Sequence, residues 1–182
     1  MFVAEEKPIK LKLCLIGESC VGKTSLIKRF VFDEFDDEYI CTIGTKITKK
    51  EMIIPLGDPH NRKEVHLMIW DIIGHQGFRQ LLQQAYFFGT HGLIAVCDTT
   101  RENTLNELEG WMEAVLDITK EIPTVFLGNK CDLEDDIQVS PSELKSFATN
   151  YEKSHIYLSS AKTGHNVDLA FKTLGEDILT DS

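Results

Sequence analysis

Gly17-Glu18-Ser19-Cys20-Val21-Gly22-Lys23-Thr24 frames four residues between two glycines and closes on a lysine and a hydroxyl, the spacing GxxxxGK[ST]. The glycines let the backbone curl so that successive N–H groups converge, and a helix starting there adds its positive end. The fitting guest is a polyphosphate, with Glu18, Ser19, Cys20, Val21, Gly22, Lys23, Thr24 and Ser25 around it. Lys23 supplies a point charge to the outer phosphates, and the Thr24 hydroxyl is placed to ligate Mg2+. A chance glycine-rich turn is the competing reading; the strand before the loop and the helix after it disfavour that. The loop alone leaves open which nucleotide it holds.

Two further clusters follow apolar runs. PTVFLG ends in Asn129-Lys130-Cys131-Asp132, and SHIYLS ends in Ser160-Ala161-Lys162. In this order the motifs resemble those of the Ras superfamily of GTPases, whose base-reading sequence is NKxD. The resemblance implies that Asp132 accepts from N1–H and the 2-amino group of guanine, that Asn129 contacts N7, that Lys130 lays its stem along base and ribose, and that the Ala161 amide reaches O6. Buried polar sites reject analogues that leave them unpaired by roughly 10^4 to 10^5, so GTP and GDP should exclude ATP. Phe35 matches the aromatic that covers guanine in the family, an ordinary core phenylalanine being the competing reading.

The same resemblance implies two nucleotide-sensing switches. In the first, Phe35 to Gly44, Thr42 stands where the family has a threonine that joins the Mg2+ shell, and Tyr39 where a tyrosine closes over the nucleotide. The second begins Asp71-Ile72-Ile73-Gly74-His75-Gln76 against the family pattern DxxGQ. Asp71 would hold Mg2+ through water, and the Gly74 amide would detect the outermost phosphate, so the metal set is Thr24, Thr42 and Asp71. The candidate catalytic residues are Lys23, Thr42, His75 and Gln76. His75 occupies the place of the water-orienting glutamine, which leaves three readings: His75 positions water, Gln76 swings in, or unaided hydrolysis is slow and an activating partner supplies what is missing. No arginine is assigned as a finger acting within the chain; Arg79 and Arg101 read as surface or structural.

The elements that must position these residues follow from periodicity. IKLKLCLIG, EVHLMIWD, GLIAVCD, PTVFLGN and SHIYLS read as strands, and SLIKRFVF, FRQLLQQAYFF, TLNELEGWMEAVLDI, SELKSFATNY and VDLAFKTLGEDIL as helices. Ser140, Pro141 and Glu143 form a helix-start signature. A further strand over Gly44 to Pro55 should pair antiparallel with EVHLMIWD across the turn LGDPHNR. The expected fold is α/β, a six-stranded, mostly parallel sheet with one antiparallel strand and helices on both faces, with ligand groups at the strand carboxyl ends. The resemblance gives this the phosphate-loop nucleotide-hydrolase fold of small G proteins, in a single G domain over 1–182.

GESCVGKT, WDIIGHQGFR, VCDTT, GWMEAV and GNKCDL read most like the Rab branch, which implies a molecular switch in membrane traffic, with Ile47, Trp70 and Tyr86 near the effector-facing triad. Effector, exchange and activating proteins would bind through Phe35–Gly44 and Asp71–Gly89. The net charge of -10 opposes nucleic acid or an anionic membrane as a default partner. Five cysteines without a CxxC pair suit a reducing, cytoplasmic setting. No run is long enough to span a bilayer. Phe2 excludes myristoylation and Cys131 is the last cysteine, so membrane attachment would need a lipidated tail outside this sequence or contact through partners. Two alternatives stand beside the timer: a GTP-binding scaffold with negligible hydrolysis, motivated by His75, and an ATP-using phosphate-loop enzyme, against which Asp132 argues.

Overall fold

The computed structural model describes residues 7–36, 44–74 and 84–181, with backbone alone at 58–60. The elements run β1 (Ile9–Ile16), α1 (Lys23–Phe32), β2 (Lys46–Leu56), β3 (Asp58–Asp71), β4 (Gly92–Asp98), α2 (Asn103–Asn106), α3 (Leu108–Thr119), β5 (Thr124–Asn129), α4 (Pro141–Ala148), β6 (Ser154–Ser159) and α5 (Val167–Thr180). A short helical stretch covers 84–87.

The strands form one six-stranded sheet in the order β2-β3-β1-β4-β5-β6. Only β2 runs antiparallel, along β3. The expected α/β fold is therefore the observed one.

Strand alternation sorts the core into two layers, because successive side chains point to opposite faces. Leu11, Leu13 and Leu15 of β1 join Leu26, Ile27 and Phe30 of α1 and Phe171, Leu174 and Ile178 of α5. Their neighbours Cys14 and Ile16 join Leu108, Trp111, Met112 and Val115 of α3 and Leu144 of α4. β4 and β5 are buried along their whole length, as parallel strands covered on both faces must be. Phe30 and Phe171 stack with ring centroids 4.0 Å apart, joining α1 to α5. Each such side chain contributes about 1.5–3 kcal/mol by leaving water.

Two expectations need correction. The turn LGDPHNR is mostly strand: β3 already begins at Asp58, and Gly57 alone makes the reversal with φ +67°. The ladder absorbs this through a register shift between Pro55 and Leu56. The helix expected over TLNELEGWMEAVLDI is two pieces meeting at Glu107, which keeps helical angles (φ -68°, ψ -18°). Of the helix expected over FRQLLQQAYFF, residues 78–83 lie outside the described residues.

Parallel strands in register end together. Asp98 of β4 faces Asn129 of β5, which faces Ser159 of β6, and Leu15 of β1 faces Asp71 of β3. The segments after β1, β3, β4, β5 and β6 thus share one rim.

Candidate functional site

The loop after β1 has the backbone its glycines demand. Gly17 sits at φ +133° and Gly22 at φ +100°, and a side chain at either would collide, a Cβ on Gly17 lying 2.1 Å from the Val96 carbonyl oxygen and one on Gly22 lying 2.3 Å from Asn129 Nδ2. Cys20 also has positive φ, 71°. Lys23, at the start of α1, is 6% exposed and donates to the carbonyls of Gly17 (2.6 Å) and Glu18 (2.8 Å). Burial draws its pKa down to about 8 against the opposing pull of Asp71, Glu18 and Cys20. Ser25 lies in the first turn of α1.

Thr24 Oγ1 donates to Asp71 Oδ2 at 2.5 Å. Asp71 is 2% exposed, and its other oxygen, Oδ1, is buried with no hydrogen-bond partner among the described residues. Burial raises the pKa of this carboxyl, with the Thr24 hydrogen bond and the charges of Lys23 and Lys46 opposing. A hydroxyl beside a carboxylate with an unsatisfied oxygen is a hard donor set that fits Mg2+, which keeps several waters and takes further ligands from phosphates. Gly74 closes against the same loop: its carbonyl accepts from Ser19 Oγ at 2.8 Å, and a Cβ there would lie 2.5 Å from Lys23 Nζ.

The segment after β5 is strapped to the phosphate loop. Asn129, 1% exposed, donates from Nδ2 to the Val21 carbonyl at 2.8 Å, while its Oδ1 accepts from the Ala161 amide at 3.2 Å and Ser159 Oγ at 3.3 Å. One amide side chain therefore joins the loops after β1, β5 and β6. Ser160 is buried, and its Oγ accepts from the Thr163 amide. The carbonyls of Ala161 and Lys162 receive Arg29 of α1 at 2.9 and 2.7 Å. Lys130, at φ +70°, turns its ammonium onto Asp98 Oδ2 at 2.5 Å. The half-buried Asp132 carboxylate makes no hydrogen bond or ion pair with any described residue.

Phe35 is half-buried and packs against the core layer of α1 and α5. Tyr39, Thr42, His75, Gln76 and Arg79 lie outside the described residues. Three more residues border the site; the sequence reading gave no role to Asp98 and Trp111 and read Arg101 as surface or structural. Asp98 ends β4 beneath Lys130; Arg101 donates from Nη2 to the Ser19 carbonyl at 3.1 Å; and the buried Trp111 donates from Nε1 to Glu18 Oε1 at 3.1 Å. For Asp98 a signal existed, an acid closing the otherwise apolar strand GLIAVCD. Arg101 and Trp111 reach the loop only through the fold.

The Ras family profile matches residues 12–180. The chain is 36% identical over 172 residues to "Ras-related protein Rab-13" of Bos taurus, covering 94% of this chain and 81% of that protein. It is 38% identical over 170 residues to "Ras-related protein Rab-8B" of Homo sapiens, covering 93% and 78%. With the phosphate loop, the strapped asparagine and these matches along nearly its whole length, the chain belongs to the Ras family of small GTPases and is similar to the Rab branch.

Proposed function

We propose that the protein is a GTP/GDP-dependent switch that binds guanine nucleotide with Mg2+ and hydrolyses GTP slowly without an activating partner, its residues 1–182 forming one G domain. The observation that carries the reading is the Asp132 carboxylate, unpaired among the described residues beside an asparagine strapped to the phosphate loop. A carboxylate accepts both donors on the Watson–Crick edge of guanine, and adenine lacks that pair of donors.

The backbone of Glu18 to Gly22 would cradle the phosphates, and Lys23 would exchange its carbonyl partners for phosphate oxygens. Ser25 would close the loop side, and Ser160, Ala161 and Lys162 would flank the base; Phe35 and Tyr39 are assigned to cover the nucleotide by the family resemblance. Thr24, Thr42 and Asp71 would hold Mg2+, which supplies charge neutralisation at the outer phosphates. Gly74 and Thr42 would sense the outermost phosphate, so that its loss releases both switches. Ile47 is exposed, faces Trp70 across the ladder, and Trp70 meets Tyr86 edge-on; this supports a Rab-like effector surface spanning Phe35–Gly44 and Asp71–Gly89, also open to exchange and activating proteins. No described helix is long and apolar enough to cross a membrane, and a cytoplasmic protein reaching membranes through partners fits this reading.

Mass spectrometry of the nucleotide retained on purification tests the proposal: bound GDP supports it, and ATP displacing GDP at equal concentration defeats it. His75 favours one second reading, a GTP-binding scaffold with negligible turnover. Single-turnover hydrolysis beside His75→Gln separates the two. A measurable wild-type rate near 10^-4 per second, about the intrinsic value in such proteins, supports the slow timer, and none at all supports the scaffold. A faster mutant would locate the slowness at position 75, with Gln76 unable to substitute.

A further inference from the structure

Asp98 closes β4 with a side chain only 1% exposed, yet it gathers four donors. Its Oδ1 accepts from the Thr100 amide (3.0 Å) and hydroxyl (2.7 Å). Its Oδ2 accepts from two cations, Lys130 Nζ at 2.5 Å and Arg101 Nε at 2.9 Å. The two cations lead to different parts of the site. Lys130 belongs to the segment that precedes Asp132 in the base-reading loop. Arg101 uses the other arm of its guanidinium to hold the Ser19 carbonyl at the crest of the phosphate loop. The guanidinium fork is suited to this double duty because its donors diverge in one rigid plane, whereas a lysine offers a single nitrogen.

Resting on the guanine-nucleotide reading, we infer that Asp98 and Arg101 are positioning residues that couple the base-reading loop to the crest of the phosphate loop, so that the two loosen together when nucleotide leaves. A single buried carboxylate oxygen carries both tethers. Freeing one cation changes the field and the geometry felt by the other, and groups that share a partner act non-additively. The connection is independent of the Asn129 strap, which joins the same loops at Val21 rather than at Ser19.

The test compares release of fluorescently labelled GDP and IDP from the wild type, Arg101→Ala and Asp98→Asn, each loaded with Mg2+. IDP lacks the 2-amino group that Asp132 would accept, so the IDP:GDP release ratio reads how tightly the base loop is set. Arg101→Ala changes a half-exposed side chain that reaches the base loop only through Asp98. It should speed GDP release about 10-fold or more, as expected for losing a hydrogen bond to a charged group, and should lower the IDP:GDP ratio at least about twofold through that coupling. Asp98→Asn should do the same, and the double variant should be no faster than Asp98→Asn alone. Unchanged GDP release in Arg101→Ala overturns the inference, as does an equal acceleration of both nucleotides, which would mean a general loosening. If Asp98→Asn does not fold, Arg101→Ala decides alone. A wild type that binds neither nucleotide refutes the guanine reading itself, a result distinct from any of these.

Discussion

Asp132 offers two carboxylate oxygens that no described residue takes up, and its worth to a base can be stated from its chemistry. Two hydrogen bonds to a charged acceptor are worth about 1.5–3 kcal/mol each. Asp132→Asn, which replaces one acceptor with a donor, should therefore weaken GDP by about 10^2- to 10^4-fold in equilibrium titration, and unchanged affinity would remove Asp132 from the base site. The cysteines give a second residue-scale outcome. Burial raises the Cys14 thiol to about 11 and the Cys97 thiol to about 12. Since the thiolate is the nucleophile, about one in a thousand or fewer of these groups is reactive at pH 8. Cys20, partly exposed in the phosphate loop, has no such barrier of depth. Iodoacetamide followed by peptide mapping should label Cys20 and Cys131 before Cys14 and Cys97, and GDP with Mg2+ should slow labelling at Cys20 more than at Cys131. Equal protection at both would place the nucleotide elsewhere.

Elements carry the next level of control, and two can be probed without touching the site. Ser140 caps α4 in a reciprocal pair: its Oγ accepts from the Glu143 amide, and its own amide donates to Glu143 Oε2 at 2.8 Å. Ser140→Ala should cost about 1 kcal/mol in urea melts. The Ser140 hydroxyl and amide hold the Glu143 pKa below its usual value, so the carboxylate's half of the pair is present above the ordinary glutamate pKa and fades as pH falls through the lowered one, while the bond from the Glu143 amide to Ser140 Oγ persists. The difference between wild type and variant should shrink on that acid side. Gly175, in α5, packs where a Cβ would lie 2.5 Å from Ile54 Cδ1 of β2. Alanine gains about 1 kcal/mol of helix propensity, against about 1–3 kcal/mol for overpacking, so Gly175→Ala should be mildly destabilising. Adding Ile54→Val, which removes that methyl, should recover the loss; a Gly175→Ala protein as stable as wild type would show that Ile54 yields freely. The strands GLIAVCD and SHIYLS were legible to the residue because short apolar stretches too brief for a helix and bounded by polar or turn residues have few other solutions. The start of β3 was not: composition marked Asp58 to Arg62 as a turn, while both ends of that stretch pair with β2, Asp58 with Leu56 and Arg62 with Pro55. The phosphate loop and the Asn129–Asp132 segment could be picked out of the sequence because each is contiguous. Arg101 and Trp111 could not, since their contacts span |i−j| of 82 and 93 and no local pattern records them.

At the scale of the whole molecule, the site is a rim where five loops meet, while the core beneath is two layers sharing one sheet. Strands β1, β4 and β5 contribute side chains to both layers, so neither can be lost without exposing the other, and thermal unfolding should follow a single transition. The net charge of -10 gives a polyphosphate no long-range attraction, so under the proposed function its binding would rest on the local arrangement of Lys23, the loop amides and Mg2+ held by the oxygens of Thr24 and Asp71. A ligand held only by the folded arrangement stabilises it by mass action, about 4 kcal/mol at a thousandfold excess over Kd. For a chain of this size about 2–4 °C accompanies each kcal/mol, so GDP with Mg2+ should raise Tm by roughly 8–16 °C at that excess. ATP at the same concentration should leave Tm unchanged, and chelating Mg2+ should remove part of the GDP effect, because the cation that the oxygens of Thr24 and Asp71 would hold against the phosphates is then gone. Differential scanning fluorimetry reads all of these. Two transitions would contradict the shared sheet as the unit of cooperativity. Equal shifts with ATP and GDP would leave the phosphate loop standing and remove the guanine specificity built on Asp132.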